Sequence, residues 1–300
     1  MQLYDCIIVG AGPAGLSAAL ILGRCRRQVL VCDSGKPRNT VSPALHCFLT
    51  RDGIEPAELR RIGREQLQPY ATVELLDVEV TRARRIAERF ELTLSDGRSF
   101  ATRKLLLATG VVDDIPNITG IESFYGRSVW HCPYCDGFEM RDQPLAIHGR
   151  GELGKALALE LTVWSRDLIL CTDGPSELGQ KELERLARHH IGVREERIDR
   201  LEGQDGRLER IVFTNGDWIA RRGLFFSAGT RQHSDLTLQL GCELNKKGTV
   251  DTGKYESTPI PGLYVAGDAS RAVQLAIVAA AEGAQAAFAI NNVLLEEERP

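Results

Sequence analysis

The 300-residue sequence contains no apolar stretch approaching the ~20 uninterrupted residues of a membrane span, so we expect no membrane partner. The first apolar run is interrupted by Asp5, and no Lys or Arg precedes it, which argues against a secretory signal peptide. The 37 Lys and Arg residues are balanced by 41 Asp and Glu residues and form no basic stripe, which argues against a nucleic-acid partner. We therefore expect a cytoplasmic enzyme.

The sequence also lacks the patterns of a disulfide framework and of a zinc site. Of its eight cysteines, only Cys132 and Cys135 are close enough to form a motif, and the others stand alone in apolar or mixed segments. A zinc ion needs about four ligands, and the sequence has neither a second C-x-x-C nor an H-x3-5-H pattern. No metal is expected.

The segment from Tyr4 to Asp33 has the order strand, glycine-rich turn, helix and strand. Its turn has the G-x-G-x-x-G spacing, formed by Gly10, Gly12 and Gly15. In this motif the glycines permit the turn, the approach of a pyrophosphate and the packing of the helix, whose N-terminus faces the phosphates. Asp33 stands where an acid accepts hydrogen bonds from a ribose. The segment predicts a dinucleotide site with a strand at 6–9, a helix at 16–23 and a strand at 28–33.

The segment from Gln143 to Asp173 repeats this plan. Gly149, Gly151 and Gly154 repeat the glycine spacing, and Asp173 ends the second strand. A second nucleotide half-domain is predicted, but whether it holds a nucleotide stays open, because a fold can keep its turn without keeping its ligand.

Hairpin signals at 95–97 and 215–217 predict a small antiparallel insert in each half. Polar or proline-containing segments at 112–117 and 231–235 are predicted linkers. The expected fold is α/β, with two Rossmann-like dinucleotide-binding domains of three layers (ββα), the second inserted into the first. The predicted boundaries are 1–113 with 234–300 for the outer domain and 115–232 for the central one.

The C-x-x-C pair indicates chemistry most directly. Cys132 and Cys135 can form one disulfide, and a thiolate that begins a helix has a lowered pKa. Redox chemistry is favoured over half of a metal site or inert packing. Asp136 beside the pair either exchanges a proton with a departing thiolate or caps a helix.

A strand ending in Gly267 and Asp268 precedes an apolar helix predicted at 274–291. If that strand lies beside the first strand of the chain, Asp268 can reach the ribityl or phosphate part of a cofactor held at the first glycine turn. The alternative is an ordinary acidic residue in a turn.

Four motifs follow one another along the chain: Gly10-Ala-Gly-Pro-Ala-Gly15, Ala108-Thr109-Gly110, Cys132-Pro-Tyr-Cys135-Asp136-Gly137-Phe138 and Gly267-Asp268. In this order and approximate spacing the chain resembles the low-molecular-weight thioredoxin reductases over essentially its whole length. The resemblance implies an FAD-dependent homodimer with FAD in the outer domain and the C-x-x-C in the central domain. It also implies that Cys135 lies nearest the flavin, that Cys132 exchanges with the partner disulfide, and that Asp136 is the acid. The implied cofactor-binding residues are Gly10, Gly12, Pro13, Ala14, Gly15, Asp33, Ala108, Thr109, Gly110, Gly267, Asp268, Gln274 and Leu275.

The sequence departs from that family at two places. NADPH-using members have a His-Arg-Arg cluster where this chain has Cys171-Thr-Asp-Gly-Pro175, and Asp173 would repel a 2′-phosphate. NADPH is therefore doubtful, and NADH or a second flavin remains open. An Arg-Gln pair beside the flavin is replaced by Gln274-Leu275. Members with both departures include reductases fed by ferredoxin or reduced flavin, and dithiol oxidases.

These features predict a thioredoxin reductase-like FAD enzyme that moves electrons between the flavin, Cys132 and Cys135, and an external disulfide or dithiol. The expected partner is a thioredoxin-like protein or a small dithiol or disulfide, and the expected donor is ferredoxin or reduced flavin rather than NADPH. One alternative is a dithiol oxidase that uses oxygen. Another is a non-catalytic flavin redox sensor.

Overall fold

The chain folds into two α/β units, one interposed in the chain of the other. The computed structural model describes residues 2–227, 229–271 and 273–299. Unit 1 comprises Met1–Thr40, Cys47–Asp113 and Thr230–Pro300, and unit 2 comprises Val41–His46 and Asp114–Gly229. The expected α/β class with an inserted second domain is confirmed.

The elements follow the chain in an order that alternates strands and helices in both units. Before residue 114 they are β1 (Leu3–Val9), α1 (Pro13–Arg24), β2 (Val29–Cys32), α2 (Pro56–Glu65), β3 (Val73–Leu76), β4 (Val80–Ile86), β5 (Arg89–Leu94), β6 (Ser99–Leu107) and β7 (Val111–Asp113). Unit 2 contains β8 (Val129–Trp130), α3 (Pro133–Asp136), β9 (Leu145–His148), α4 (Gly151–Glu160), β10 (Leu168–Cys171), α5 (Gln180–Arg188), β11 (Gly192–Arg194), β12 (Ile198–Gln204), β13 (Arg207–Phe213), β14 (Trp218–Ala220) and β15 (Gly223–Phe226). Unit 1 resumes with β16 (Thr230–Gln232), α6 (Leu236–Gln239), β17 (Leu263–Val265) and α7 (Ala276–Glu298).

The main sheet of unit 1 is parallel in the order β3-β2-β1-β6, with β17 parallel to the last part of β6. The first part of β6 pairs antiparallel with β5, which pairs with β4. Alternate residues of β1 face opposite sides of the sheet: Ile8 packs with the helices α1 and α7, and Ile7 packs with the β4–β5 arm. The result is the three-layer arrangement of strands, strands and helices that the sequence predicts.

Unit 2 repeats this plan. Its main sheet is parallel in the order β11-β10-β9-β15-β8, and β12, β13 and β14 form a separate antiparallel sheet. Ala146 of β9 faces the antiparallel sheet, whereas Leu145 and Ile147 face the side covered by α4 and α5. Both hairpin signals lie at antiparallel turns, as predicted.

The predicted linker segments overlap two paired strands. β16 pairs antiparallel with β7, with Thr230 opposite Asp113, and both strands belong to unit 1. Unit 1 therefore resumes at Thr230, four residues before the predicted boundary at 234. Segment Val41–His46 groups with unit 2, where His46 Nε2 lies 3.6 Å from Glu139 Oε1.

Helix α7 begins two residues later and ends seven residues later than the predicted helix at 274–291. Its last turn is extended by ion pairs, since Glu298 accepts hydrogen bonds from Arg27 and Arg103. Among the described residues it is the helix long and apolar enough to cross a membrane by length and composition, with a mean hydropathy of 1.2. Its side chains Ala286 and Ile290 are fully buried in the core shared with α1, so it packs as a core helix of unit 1.

Candidate dinucleotide and disulfide sites

The first glycine turn lies where β1 and β6 end side by side in unit 1. Gly10 has a φ of +105°, which favours glycine, and a Cβ there would lie 2.3 Å from the carbonyl oxygen of Ala108. A Cβ on Gly15 would lie 1.8 Å from the carbonyl oxygen of Gly10, so only glycine lets α1 pack this closely against β1. Around Gly12, by contrast, nothing lies within 4 Å of a Cβ position, which leaves the backbone open to a ligand.

Helix α1 presents its N-terminus at this turn. Gly12 is the N-cap, Pro13 and Ala14 follow, and no side chain caps the helix. The first amide groups of a helix have no partners within the helix, and their partial positive charge favours a phosphate. The turn has the shape and the electrostatics of a pyrophosphate site.

Asp33 follows β2 and lies at the same edge of the sheet. Its Oδ1 accepts a hydrogen bond from the amide of Ala11 at 3.3 Å, and its Oδ2 lies 2.6 Å from Arg64 Nη2 and 3.6 Å from Arg60 Nη2. The structure thus brings the predicted ribose acid next to the glycine turn. It adds two arginines from α2 that the sequence pattern did not indicate.

A buried hydroxyl lies at the end of β6. Thr109, between Ala108 and Gly110, has a buried Oγ1 that has no hydrogen-bond partner among the described residues. Buried polar groups are nearly always hydrogen-bonded, so this hydroxyl is placed to bind a ligand group. With the open backbone at Gly12, this fits a dinucleotide bound across the ends of β1 and β6.

Gly267 and Asp268 follow β17, which pairs with β6 at this same edge. The Oδ2 atom of Asp268 lies 2.9 Å from Arg38 Nη1, which also donates to Gln274 Oε1 at 2.7 Å. Leu275 is the N-cap of α7. β17 does not lie beside β1, as the sequence argument required, because β6 stands between them; Asp268 still lies at the same edge of the sheet, since β17 runs parallel to β6.

A buried carboxylate supports the Gly267 turn from α7. The Oε2 atom of Glu282 accepts the amide hydrogen of Gly267 at 2.8 Å, and its Oε1 accepts from Arg271 Nε at 3.0 Å. Arg271 also binds both carboxylate oxygens of Glu256. Burial raises the pKa of Glu282 to about 7.

In unit 2, the C-x-x-C motif lies on α3, immediately after β8. Cys132 and Cys135 form a disulfide, and Cys132 is the N-cap of α3. The amide of Cys135 donates to Cys132 Sγ at 3.2 Å. When the disulfide is reduced, this amide can stabilise a thiolate on Cys132. Tyr134, which is largely exposed, makes an edge-on contact with Trp164 at 5.7 Å.

Asp136 is the last residue of α3 and is half-buried. Burial, and secondly the negative charge of Glu139, raise its pKa to about 7. A carboxyl group with this pKa both donates and accepts a proton near neutral pH. Of the two roles left open by the sequence, this favours proton exchange, because Asp136 lies at the C-terminal end of its helix and not at the N-cap.

The second glycine turn keeps the backbone packing of the first. A Cβ on Gly154 would lie 2.5 Å from the carbonyl oxygen of Gly149, as in the turn of unit 1. The amide of Gly151, at the start of α4, already donates to the carbonyl oxygen of Ser176 at 2.9 Å. Glu177 Oε2 lies 3.7 Å from the point that a Cβ on Gly151 would occupy. A carboxylate therefore lies where a pyrophosphate would approach.

Arg150 fills the rest of this turn. Its guanidinium donates to the carbonyl oxygens of Thr172 and Asp173, at 3.2 and 2.6 Å, and lies 3.5 Å from Glu177 Oε1. The carboxylate of Asp173 accepts the amide hydrogen of Ile198 at 2.8 Å. The predicted repulsion of a 2′-phosphate by Asp173 is thus joined by two features of the turn: the carbonyl oxygen of Ser176 already binds the Gly151 amide, and the exposed carboxylate of Glu177 lies close by.

The fold and the sites define a disulfide-bearing α/β protein built from two units that each have the dinucleotide-binding fold. The chain belongs to the pyridine nucleotide-disulphide oxidoreductase family, whose model matches residues 4–283.

Similar proteins refine this assignment. The thioredoxin reductase aclD of Aspergillus oryzae is 31% identical over 316 residues, covering 99% of this chain and 98% of that protein. The solved structure of TrxB from Bacillus anthracis, named as a thioredoxin reductase, superposes with a TM-score of 0.93 at 36% identity, covering 99% of this chain and all of that one. The structure of HlmI superposes with a TM-score of 0.94 at 35% identity, covering 98% and 93%. The protein is a thioredoxin reductase-like disulfide oxidoreductase, as its sequence predicts.

The family implies FAD and a nicotinamide nucleotide as cofactors. The residues at the first turn fit FAD, because the α1 N-terminus is uncapped and Thr109 has a free buried hydroxyl. The residues at the second turn do not fit a nicotinamide dinucleotide, because Ser176 and Glu177 occupy the approach to Gly151.

Sequence reasoning missed several side chains that complete these sites: Arg38, Arg60, Arg64, Asp113, Arg150, Glu177, Arg271 and Glu282. Arg150 was detectable, since it stands inside the second glycine motif. The others lie far along the chain from the residues that they contact, and no motif marks them.

Proposed function

We propose that this protein is an FAD-dependent dithiol/disulfide oxidoreductase in which electrons move between FAD in unit 1 and the Cys132–Cys135 pair. The observation that carries the proposal is the disulfide itself, with an amide directed at Cys132 Sγ and a carboxyl group of pKa about 7 one residue beyond Cys135. These are the groups that thiolate–disulfide exchange needs near neutral pH.

The proposed FAD site is the edge of the unit 1 sheet. The turn at Gly10, Gly12 and Gly15 would hold the pyrophosphate on the α1 N-terminus, and Asp33 would bind the adenosine ribose. The other predicted contacts follow β6 and β17: Ala108, Thr109, Gly110, Gly267, Asp268, Gln274 and Leu275. Bound FAD would supply a carrier that accepts or gives up two electrons.

The exchange steps use the two cysteines in turn. In the reducing direction, the Cys132 thiolate attacks one sulfur of the partner disulfide and forms a mixed disulfide. The partner's other sulfur leaves as a thiolate and takes a proton from Asp136. Cys135, as a thiolate, then attacks Cys132 Sγ, which releases the partner's second sulfur as a thiolate and restores the Cys132–Cys135 disulfide. The oxidising direction is the reverse of these steps.

We propose that the electron donor is not NADPH. Arg150, Ser176 and Glu177 support this, because they fill the second turn and place a carboxylate where phosphate would bind. The proposed donors are ferredoxin, reduced flavin or a small dithiol, with NADH disfavoured by the same obstruction. By resemblance, the partner is a thioredoxin-like protein or a small disulfide, and the enzyme is a cytoplasmic homodimer.

A dithiol oxidase is the second candidate, because a chain that cannot take electrons from a nicotinamide can take them from the dithiol itself. In that reaction the dithiol is oxidised to a disulfide, and oxygen accepts the two electrons as hydrogen peroxide. The contact at Gly151 that disfavours a nicotinamide donor supports this candidate, and it supports a reductase fed by ferredoxin or reduced flavin equally.

An anaerobic titration of the FAD-loaded protein tests these proposals. We expect the oxidised flavin absorbance to persist with NADPH and NADH and to disappear with dithiothreitol. The Cys132→Ser/Cys135→Ser variant should be reduced by dithionite but not by dithiothreitol. Stoichiometric bleaching by NADPH would refute the donor assignment, and a protein that binds no FAD would refute the function.

Readmission of air separates the candidates. Fast reoxidation with one hydrogen peroxide released per dithiol consumed would support the oxidase. Slow reoxidation, together with reduction of an added disulfide, would support the reductase. If the flavin is reduced but no disulfide is turned over, the result would support the non-catalytic redox sensor.

A further inference from the structure

We propose that Arg38 is a positioning residue for FAD, which holds the carboxylate of Asp268 and the amide of Gln274 in their places beside the cofactor. The inference rests on the proposed function only in assigning FAD to unit 1. No sequence motif marks Arg38, which follows β2 in the polar segment Gly-Lys-Pro-Arg-Asn.

Arg38 joins three segments that are distant in the sequence. Its Nε and Nη2 atoms form a two-point ion pair with Asp113, the last residue of β7, with the Nε–Oδ2 distance at 2.8 Å. Its Nη1 atom donates to Asp268 Oδ2 at 2.9 Å and to Gln274 Oε1 at 2.7 Å. The planar fork of a guanidinium suits this geometry, and a lysine ammonium would not reproduce it.

Burial makes this arrangement specific. The side chains of Arg38, Asp113 and Asp268 are 17%, 4% and 21% exposed. Two carboxylates this close would repel each other without a cation between them, and a buried carboxylate without a partner is costly. Arg38 therefore determines where the Asp268 carboxylate lies, while Asp113 anchors Arg38 from the side away from the cofactor residues.

Unit 1 contains a second arginine with carboxylate partners, which provides a matched control. Arg103 lies within β6, is 24% exposed, and pairs with Asp5, Glu297 and Glu298. It stands five residues before Ala108, away from the carboxyl ends of the strands where the cofactor residues lie. Replacing Arg103 therefore shows how the loss of an arginine with several ion pairs affects the stability of unit 1 and its FAD binding when the arginine lies away from the proposed cofactor site.

The experiment measures the equilibrium dissociation constant of FAD and the thermal unfolding of the FAD-free protein for wild type, R38M, R38M/D113N and R103M. R38M should weaken FAD binding by about 10- to 100-fold, the usual effect of losing hydrogen bonds to a charged group. It should also lower the unfolding temperature, because the buried Asp113 carboxylate loses its ion pair with Arg38. R103M should lower the unfolding temperature but change FAD binding by less than about twofold.

The double variant separates positioning from stability. D113N removes the buried charge that has lost its ion pair with Arg38, so R38M/D113N should recover the unfolding temperature while FAD binding stays at least tenfold weaker than that of wild type. Recovery of FAD binding together with stability would overturn the proposal, as would R38M binding FAD within about twofold of wild type. If wild type itself binds no FAD, the proposed function fails instead.

Discussion

Replacing Asp136 by Asn should change the pH dependence of stability in a way that the structure fixes in sign and size. Burial and Glu139 raise the pKa of Asp136 to about 7, from about 3.9 in an unfolded chain. Between these two values the folded protein keeps a proton that the unfolded chain has lost, so the stability contributed by Asp136 falls as pH rises. Because Asn cannot ionise, the D136N variant lacks this decrease in stability with rising pH.

The size follows from the two pKa values. At pH 5 the penalty for Asp136 is about 2 kcal/mol, and at pH 8 it is about 4 kcal/mol, at roughly 1.4 kcal/mol per pKa unit. The free energy of unfolding of D136N, minus that of wild type, should therefore rise by about 2 to 3 kcal/mol between pH 5 and pH 8. The pH dependence of carboxyl groups that do not interact with Asp136 cancels in this difference.

Urea unfolding of the oxidised, FAD-free proteins at several pH values measures this difference. Variant E139Q provides a check, because loss of the Glu139 charge should lower the midpoint of the wild-type pH dependence without abolishing it. A difference between D136N and wild type that stays constant from pH 5 to pH 8 would refute the raised pKa, and with it the assignment of Asp136 as the acid.

Two further predictions concern the exchange pair and the first glycine turn. Cys135→Ser leaves Cys132 without a resolving sulfur, so incubation with oxidised glutathione should yield a stable adduct with one glutathione more than Cys132→Ser/Cys135→Ser, seen by intact mass spectrometry, since both variants keep the exposed Cys25 and Cys47. An unmodified Cys132 would contradict its role as the exchanging sulfur. Gly15→Ala should abolish FAD retention, since its Cβ would lie 1.8 Å from a backbone oxygen, whereas Gly192→Ala meets only ordinary contacts at 3.7 Å and should retain FAD. Equal FAD content in these two variants, measured by absorbance after denaturation, would contradict the packing argument.

The features that could be predicted from the sequence are local. The glycine spacing around Gly10 and the strand before it lie within a few residues of one another, so the pattern alone indicates the turn. The disulfide is equally local, since Cys132 and Cys135 are separated by one turn of helix. The α/β class of unit 2 followed from the repetition of the same plan in both segments.

The features that could not be predicted depend on contacts between distant segments. Arg38 meets Asp113 and Asp268 across 75 and 230 residues of chain, and no spacing rule relates them. The loss of space at Gly151 depends on Ser176, 25 residues further on, whose segment bends back over α4. The sequence already predicted from Asp173 that NADPH binding is disfavoured. The contacts at the second turn that support this proposal could be identified only in the folded chain.

The pairing of β7 with β16 makes unit 2 a removable insertion. Because Thr230 lies opposite Asp113 in one small ribbon of unit 1, the chain leaves and re-enters unit 1 at neighbouring points. Inserted domains are tolerated where the two ends are close together, since neither host sheet nor host core is interrupted. Replacing residues 114–229 by a short turn would leave Val41–His46 as the one segment of unit 2 in the remaining chain, so an exchange of the disulfide-bearing module would have to replace this short segment as well.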